Sequence, residues 1–326
     1  MTVRPLSDLY AFRGFHLPDH SSIFENLKRA REKNGFTKSV IAWIDESGEK
    51  GFISRLRPEH DDAIGIMCAI CAPIEREQEI RESFRPSFDL FQEHFGTLPK
   101  VHITDAYSTD GDKRPVLEQI RHDVFRAVAE LELPVMYEAA RLGVVRESFE
   151  RQQRIEQGIR DAHSEQYAFG NHADNRRIEV RLATGLARKL DAFSYWAGAD
   201  HLDLYFDSMN GPLFHEIQEE IGRLGRSENT VVAKGWDKKL RKPVRQAWTI
   251  KRKTDVPTSF LTLRSMEMVT PADERIFAVD VVASSLRRHL SRLAPTALLN
   301  IKGATVGWPL SANVVAPPAP SIEDFL

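Results

Sequence analysis

The chain has 326 residues, a formal net charge of -2 at neutral pH and only two cysteines. This length is enough for a well-buried core in one elaborated α/β domain or in two smaller domains. The slightly negative charge excludes bulk attraction to nucleic acid, so any such affinity must come from a local patch. We find no signal peptide, no lipidation signal and no apolar stretch long enough to span a bilayer. We therefore expect a cytoplasmic protein with no membrane partner.

The most informative segment is the apolar run 39–44, which ends on Asp45, Glu46 and a Ser-Gly turn. Apolar residues at successive positions are typical of a central strand that is covered on both faces. Its end brings carboxylates to a sheet edge, where ligand and metal sites of α/β proteins lie. A divalent cation compensates such acids, and the alternative is a solvated strand end. Glu46 faces away from Asp45 on a regular strand, so it joins the same site only if the strand ends there; otherwise it is a solvated turn acid.

The two cysteines form a C-x-x-C pattern at Cys68 and Cys71, inside an apolar run that predicts a strand. Three residues apart on a strand, they point to opposite faces of the sheet. No second Cys or His pair at zinc spacing lies nearby, so we interpret both as buried core thiols. Two thiols in a chain of this length indicate a reducing compartment.

Predicted strands and helices alternate along the chain, which indicates an α/β fold. The further predicted strands lie at about 63–72, 100–104, 133–139, 201–207 and 259–264. The predicted helices lie at about 22–33, 73–95, 114–131, 146–169, 176–196, 213–224 and 272–293. We divide the chain into an N-terminal extension (1–38), a main domain (39–293) with a helical insertion (146–200), and a loosely ordered Pro-rich tail (294–326). The charged helices of the insertion could form a homodimer surface or simply be solvated.

Two later carboxylates resemble Asp45 in their setting. Asp207 stands at the end of an alternating strand, and Asp280 lies on the last long helix among apolar and small residues. A lone carboxylate in an apolar setting should be neutralised, paired with arginine or bound to a cation. Pairing of Asp280 with Arg287 or Arg288 is the structural alternative to a metal site.

In chain order, Asp45 and Asp207 each stand at the end of a predicted strand, and Asp280 lies on a late helix. Ribonuclease-H-like nucleases use this arrangement. Close carboxylates repel each other and are stable together mainly when Mg²⁺ or Mn²⁺ lies between them. Two such ions about 3.5–4 Å apart can activate a water and stabilise the leaving oxygen of a phosphodiester. We therefore predict metal-dependent phosphodiester hydrolysis, with these three acids as metal ligands.

The sequence resembles the family catalogued as domain of unknown function 3800. Four motifs over roughly residues 39–290 carry the resemblance: Trp43–Gly48, Lys100–His102, Leu204–Asp207, and Ser265 with the helix Phe277–Ala283. In the last motif, the usual Gln and Ala before the acid are replaced by apolar residues. The resemblance implies an RNase-H-like fold, with a mixed β-sheet flanked by helices, and a metal-dependent nuclease.

Several other polar residues are candidates for supporting roles. His102 could ligate a metal, hydrogen-bond a phosphate or an attacking water, or be a structural histidine. Lys50 and Lys100 could neutralise phosphate charge or be solvated. Asp203 shares a strand face with Asp207, but four residues place it about 13 Å away, so we exclude it from the site.

Residues 234–253 are strongly basic and contain two tryptophans. Basic side chains supply phosphate affinity, and tryptophan stacks on unpaired bases. We predict a nucleic-acid-binding patch here, formed by Lys238, Lys239, Arg241, Lys242, Arg245 and Trp248. The alternative is a solvated basic loop whose two tryptophans are anchored in the core.

These observations predict a nuclease with Mg²⁺ or Mn²⁺ as cofactor and DNA or RNA as partner. Its catalytic residues would be Asp45, Asp207 and Asp280, supported by Glu46 and His102. Two alternatives stay open at this point. One is a non-catalytic nucleic-acid-binding module of the same fold, and the other is a metal-dependent hydrolase of a small phosphorylated molecule.

Overall fold

The fold is taken from a computed structural model, which describes residues 39–96, 103, 113–162, 167–169, 177–224, 228–251, 260–269, 273–294 and 301–315. The predicted N-terminal helix at 22–33 lies outside these residues. So does the predicted strand at 100–104, apart from Ile103. The described elements alternate between strands and helices, which confirms the predicted α/β class.

Eight strands are described: β1 Ser39–Gly48, β2 Ile64–Pro73, β3 Val135–Arg141, β4 Tyr167–Phe169, β5 His201–Phe206, β6 Glu228–Asp237, β7 Lys242–Lys251 and β8 Leu263–Met268. The described α-helices are α1 Glu77–Phe95, α2 Arg114–Glu130, α3 Leu142–Ala162, α4 Ile178–Trp196, α5 Gly211–Leu224, α6 Glu274–Leu290 and the single turn α7 Ile301–Ala304.

The main sheet is mixed and has the strand order β3-β2-β1-β5-β8. Strand β1 pairs antiparallel with β2 and parallel with β5, while β2–β3 is antiparallel and β5–β8 is parallel. The central position predicted for β1 is therefore confirmed. A smaller sheet has the order β4-β6-β7.

Helices cover the main sheet on both faces. Trp43 on one face of β1 belongs to a core cluster with α1, α2 and α6, and Ile44 on the other face belongs to a cluster with α4 and α5. Cys68 lies in the first cluster and Cys71 in the second, so the predicted opposite orientation is confirmed. Burial raises the pKa of both thiols, which makes them unreactive core residues. No helix among the described residues is long and apolar enough to cross a membrane.

The segment predicted as a helical insertion, 146–200, contains most of α3, the short strand β4 and the helix α4. Leu182, Leu186 and Leu190 of α4 are buried in the second core cluster. Their spacing of four residues places them along one helix face, which packs on β2 and β3. Helix α4 is therefore a layer of the main domain and covers its sheet.

The C-terminal tail is more ordered than its composition predicts. Trp308, Leu310 and Val314 are buried in the first core cluster, and Val314 bridges in parallel to Val135 at the start of β3. The expectation of a loosely ordered tail is therefore wrong for residues 301–315. A large apolar surface at these three side chains outweighs the entropy of ordering the segment.

Replacing Trp308 by Ala tests this packing. The Trp308 ring is 3% exposed and lies edge-on to Phe125 at 5.9 Å between centroids. We expect Trp308→Ala to lower the free energy of unfolding by about 3–5 kcal/mol in urea titrations. Val306→Ala is the control, because Val306 is 73% exposed, and it should change stability by less than about 0.5 kcal/mol. Equal effects of the two substitutions would contradict the packing of the tail on the core.

Candidate functional site

The ends of β1 and β5 bring Asp45 and Asp207 together. Ile44 is paired with Phe206 in the parallel register, and the Asp207 N–H donates to the Ile44 carbonyl at 2.9 Å. The two acids follow these paired residues on neighbouring strands, whose separation is about 4.8 Å. Alternation places both on the face of Trp43, which is the face covered by α6.

Asp280 joins them from α6. It is buried, and its Oδ2 accepts a hydrogen bond from the Ile103 N–H at 2.9 Å. Burial in the first place, and then the negative charges of Asp280, Glu46 and Asp207, raise the pKa of Asp45 well above its ordinary value. Because such charge effects need short distances, the three predicted acids share one neighbourhood at the end of the central strand.

The Asp45 carboxylate has only one of its oxygens satisfied. Its Oδ1 accepts the N–H of Glu46 at 2.8 Å, whereas its buried Oδ2 has no hydrogen-bond partner among the residues that the structure describes. A buried acceptor without a partner costs about 1–3 kcal/mol, and more when it is charged. A cation at Oδ2 would remove this cost.

Other unsatisfied polar atoms lie in the same region. Ten buried side-chain N or O atoms of the described residues lack a hydrogen-bond partner, and half of them belong to β1, α6 or the residues after β5. These five are Asp45 Oδ2, Trp43 Nε1, Ser208 Oγ, Ser284 Oγ and Arg287 Nε. Native proteins leave few such groups, and a concentration of them indicates a place where an ion, a water or a ligand completes the structure.

The donors fit a hard divalent cation, because all three are carboxylates and Mg²⁺ and Mn²⁺ prefer oxygen ligands. In the part of the chain that the structure describes, no three His, Cys, Asp or Glu side chains stand close enough to hold a metal ion as a ready-made group. Carboxylates without a cation repel each other, which disfavours a ready-made cluster in the absence of a metal ion. His102, a candidate for ligating a metal or for hydrogen-bonding a phosphate or an attacking water, lies outside the described residues.

Glu46 is engaged by a lysine. Its Oε1 lies 2.5 Å from Lys50 Nζ, on a strand that continues to Gly48. Burial alone would lower the pKa of Lys50, but the carboxylates of Glu46, Asp45 and Glu179 outweigh it and raise that pKa. Glu46 therefore contributes charge to the neighbourhood of Asp45, while its own side chain is held in an ion pair.

Gly48 closes the signature turn, and only glycine fits there. Its φ is +101°, and a Cβ would lie 2.1 Å from the Ile64 carbonyl oxygen and 2.9 Å from Cδ of Arg287. Left-handed φ values and so close an approach both exclude a side chain. The same contact shows that Arg287 reaches the strand end, a proximity that the sequence did not reveal.

Asp203 has a structural role. It is 1% exposed, and it accepts hydrogen bonds from Arg264 Nε at 2.9 Å and from Ser265 Oγ at 2.6 Å. These contacts hold β8 to β5 and leave Asp203 fully engaged, in agreement with its exclusion from the site. Ser265, one of the family-like residues, serves this pairing.

The basic stretch forms an antiparallel hairpin, β6–β7, which we name the basic arm (Glu228–Lys251). It contains seven Lys and Arg residues against two acids, Glu228 and Asp237. Asp237 is buried and accepts the N–H groups of Lys239 and Leu240 at 2.9 Å each, which fixes the turn. The turn therefore presents its cations in a defined loop.

The predicted binding residues divide into two groups on this arm. At its tip Lys238, Lys239, Arg241 and Lys242 are exposed, whereas Arg245 and Trp248 lie on β7 with side chains outside the described set. Trp236, which the sequence pattern did not place among the binding residues, is 47% exposed. The alternative interpretation, in which this tryptophan is anchored in the core, is therefore wrong for Trp236.

The family resemblance depends on motifs that the structure places around one strand end. The signature Trp43–Gly48 supplies Asp45 and the glycine turn, Leu204–Asp207 supplies the neighbouring acid, and Phe277–Ala283 supplies the acid on α6. A scan against protein-family models, a search of curated proteins and a search of solved structures each found no match to the chain.

Asp45→Asn should stabilise the metal-free protein at neutral and alkaline pH. Because the folded-state pKa of Asp45 is raised, the folded wild type binds more protons than the unfolded chain, and its stability falls as pH rises above the ordinary carboxyl range. We expect a gain of about 1–3 kcal/mol for the Asn variant at pH 8. The gain should shrink as pH approaches about 4.

Thermal unfolding in EDTA across this pH range measures the effect. Asp89→Asn is the matched control, because Asp89 is an exposed acid on α1, and it should stay within about 0.5 kcal/mol of the wild type. A stability difference for Asp45→Asn that is the same at every pH would contradict a buried, strained carboxylate at this position.

Proposed function

We propose that the protein is a divalent-metal-dependent nuclease of the RNase-H-like type. The observation that carries this proposal is the convergence of Asp45, Asp207 and Asp280 at the end of the central strand, where a buried oxygen of Asp45 has no partner. Like charges gathered in a buried place are costly, and a divalent cation is the ligand that makes the arrangement favourable.

The elements that carry the acids support the RNase-H-like assignment. Two acids stand at the ends of neighbouring parallel strands, and the third lies on a late helix that packs over them. Ribonuclease-H-like nucleases use this combination. A mixed five-stranded sheet with helices on both faces is compatible with it.

The three carboxylates would hold Mg²⁺ or Mn²⁺, which when bound supplies positive charge to activate a water and to stabilise the leaving oxygen of a phosphodiester. The protein holds the carboxylates in position. The Ile103 N–H fixes one oxygen of Asp280, and the backbone bond from Asp207 to Ile44 fixes the end of β5. Buried residues around Trp43 exclude bulk solvent and strengthen each charge interaction.

The basic arm would provide affinity for the nucleic-acid backbone. The whole chain is weakly acidic, so its attraction to phosphate must come from a place where cations collect. The ordered turn of the arm exposes four of them beside the exposed Trp236. Contacts of this kind with the phosphate backbone give affinity that does not depend on the nucleotide sequence.

One observation favours a second function, a non-catalytic nucleic-acid-binding module. The apolar residues that replace the family's Gln and Ala before Asp280 serve packing, since Phe277 lies 5.5 Å from Phe88 and 5.1 Å from Phe91 between ring centroids. In this alternative the arm binds nucleic acid and the acids do no chemistry. The two functions differ in which substitutions affect cleavage and which affect binding.

Neutralising the acids tests the nuclease. We expect Asp45→Asn, Asp207→Asn and Asp280→Asn each to reduce Mn²⁺-dependent cleavage of DNA or RNA oligonucleotides by at least about 100-fold. Replacing a residue that only orients a metal ligand already costs about 10–100-fold, so removal of a direct ligand should cost no less. Calorimetric titration with Mn²⁺ should show binding in the wild type that is absent in Asp45→Asn, whereas oligonucleotide binding should be kept.

The control for this experiment is Asp89→Asn, which removes an exposed acid on α1 that is not one of the three predicted ligands. Full Mn²⁺-dependent cleavage by Asp45→Asn would disprove the ligand assignment. Oligonucleotide binding without cleavage in the wild type would favour the binding module, and absence of both at low salt would favour a hydrolase of a small phosphorylated molecule.

Removing charge from the tip of the basic arm tests the nucleic-acid interface. We expect the double substitution Lys239→Gln and Lys242→Gln to weaken oligonucleotide binding and to lower the slope of log Kd against log salt by about 0.7–0.9 for each phosphate that the arm no longer neutralises. The matched control is Arg151→Gln with Arg154→Gln, which removes two exposed cations from α3. Fluorescence anisotropy over a salt series measures both variants. An equal loss of affinity and of salt slope in the arm variant and in the α3 control would mean that only net charge affects binding. The arm would then not be a specific nucleic-acid interface.

A further inference from the structure

Arg287 lies on the same face of α6 as Asp280, seven residues or two turns further along. Seven residues advance the helix by about 10.5 Å, and the three residues from Asp45 to Gly48 advance β1 by about 10 Å. The contact between Arg287 and Gly48 therefore shows that α6 and β1 run side by side from the acids onward. Long side chains on a helix lean toward its N-terminus, which here is the direction of the acids.

The guanidinium of Arg287 has no anionic partner among the described residues. Its Nε is buried and has no hydrogen-bond partner. None of the ion pairs of the described residues joins Arg287 to Asp280, which was one of the two arginine pairings considered from the sequence. Other arginines in partly buried positions of this protein are paired. Arg275 on the same helix is held by Asp273 and Glu77, and Arg146 by Asp61. Arg287 differs from these because the described part of the chain supplies no carboxylate for it.

The residues that carry an unsatisfied acceptor and an unsatisfied donor are therefore about 10 Å apart along β1 and α6. Among the described residues, neither Asp45 Oδ2 nor Arg287 Nε has a hydrogen-bond partner. A nucleic-acid backbone bound together with a metal ion satisfies both, because its phosphates are anions that arginine binds through two N–H groups at once. The hydroxyl of Ser284, which lies between Asp280 and Arg287 on the same helix face, is also buried and has no hydrogen-bond partner among the described residues.

We propose that Arg287 is a positioning residue that binds a backbone phosphate of the nucleic-acid substrate next to the acidic site. This inference rests on the proposed nuclease function. It assigns the substrate backbone a path along the end of β1, over the glycine turn, from the acids toward the C-terminal half of α6. A Cβ at Gly48 would lie 2.9 Å from Cδ of Arg287, so the glycine leaves the space that the arginine stem occupies at the strand end.

The test compares Arg287→Gln, Arg287→Lys and the control Arg292→Gln, which removes an exposed arginine just beyond the same helix. Binding is measured in the Asp45→Asn background, which leaves the oligonucleotide uncut, over a salt series. We expect Arg287→Gln to weaken binding about tenfold or more. The salt slope should fall by the amount expected for one phosphate, about 0.7–0.9. Arg287→Lys should recover part of the affinity, because it keeps the charge but not the paired N–H groups.

Kinetics and metal binding then separate positioning from other roles. In the otherwise wild-type protein, Arg287→Gln should raise KM for the oligonucleotide more than it lowers kcat, while its Mn²⁺ titration and its melting temperature stay those of the control. Affinity and salt slope equal to those of Arg292→Gln would overturn the proposal. So would a loss of Mn²⁺ binding in Arg287→Gln, which would make the arginine part of the metal site. A wild type that neither binds nor cleaves oligonucleotides would overturn the nuclease proposal itself, a result seen before any variant is compared.

Discussion

The burial of a carboxylate at the end of the central strand is the constraint on which this structure depends. Strand β1 pairs on both edges and is covered on both faces, so Asp45 has no route to solvent along its own strand. The register cannot slip by one residue, because a slip would exchange Trp43 and Ile44 between two different core clusters and move Asp45 to the opposite face. The hydrophobic core therefore fixes the position of the acid, and the acid cannot relax into water to relieve its own burial.

The same core determines which partners the acid meets. The parallel pairing of β5 with β1 places Asp207 at the adjacent strand end, and the packing of α6 on that face places Asp280 above them. Helix α6 is buried along nearly its whole length, so it tolerates few polar residues. Three of its charged groups have defined positions: Arg275 is held near the N-terminus, Asp280 faces the strand ends, and Arg287 follows two turns later. Charge on a buried helix costs free energy. Asp280 and Arg287, seven residues apart, share one face of α6.

The sequence predicted the elements whose signal is local. The apolar run before Asp45, the alternation before Asp207 and the lone charge at Asp280 are visible in short windows. In the structure the charges of Asp207 and Asp280 act on Asp45. What depends on distant contacts was not predictable. The tail at 301–315 docks through Trp308 and Val314 onto helices and a strand far away in sequence, and its proline-rich composition pointed the other way. The basic arm was predicted only as a stretch of charge, because its many lysines and arginines obscure the alternation of a strand.

The unsatisfied atoms around β1 connect stability with function. Among the described residues, buried donor and acceptor atoms near β1 are left without hydrogen-bond partners, which is a free-energy cost that binding can remove. A cation relieves the acids, and an anion relieves the arginine. Because the bound cation and the bound phosphate also attract each other, each should strengthen the binding of the other, and this coupling must be equal in both directions. Under the proposed function, a site of this kind would therefore favour a ligand that brings a metal ion and a phosphate together over either one alone.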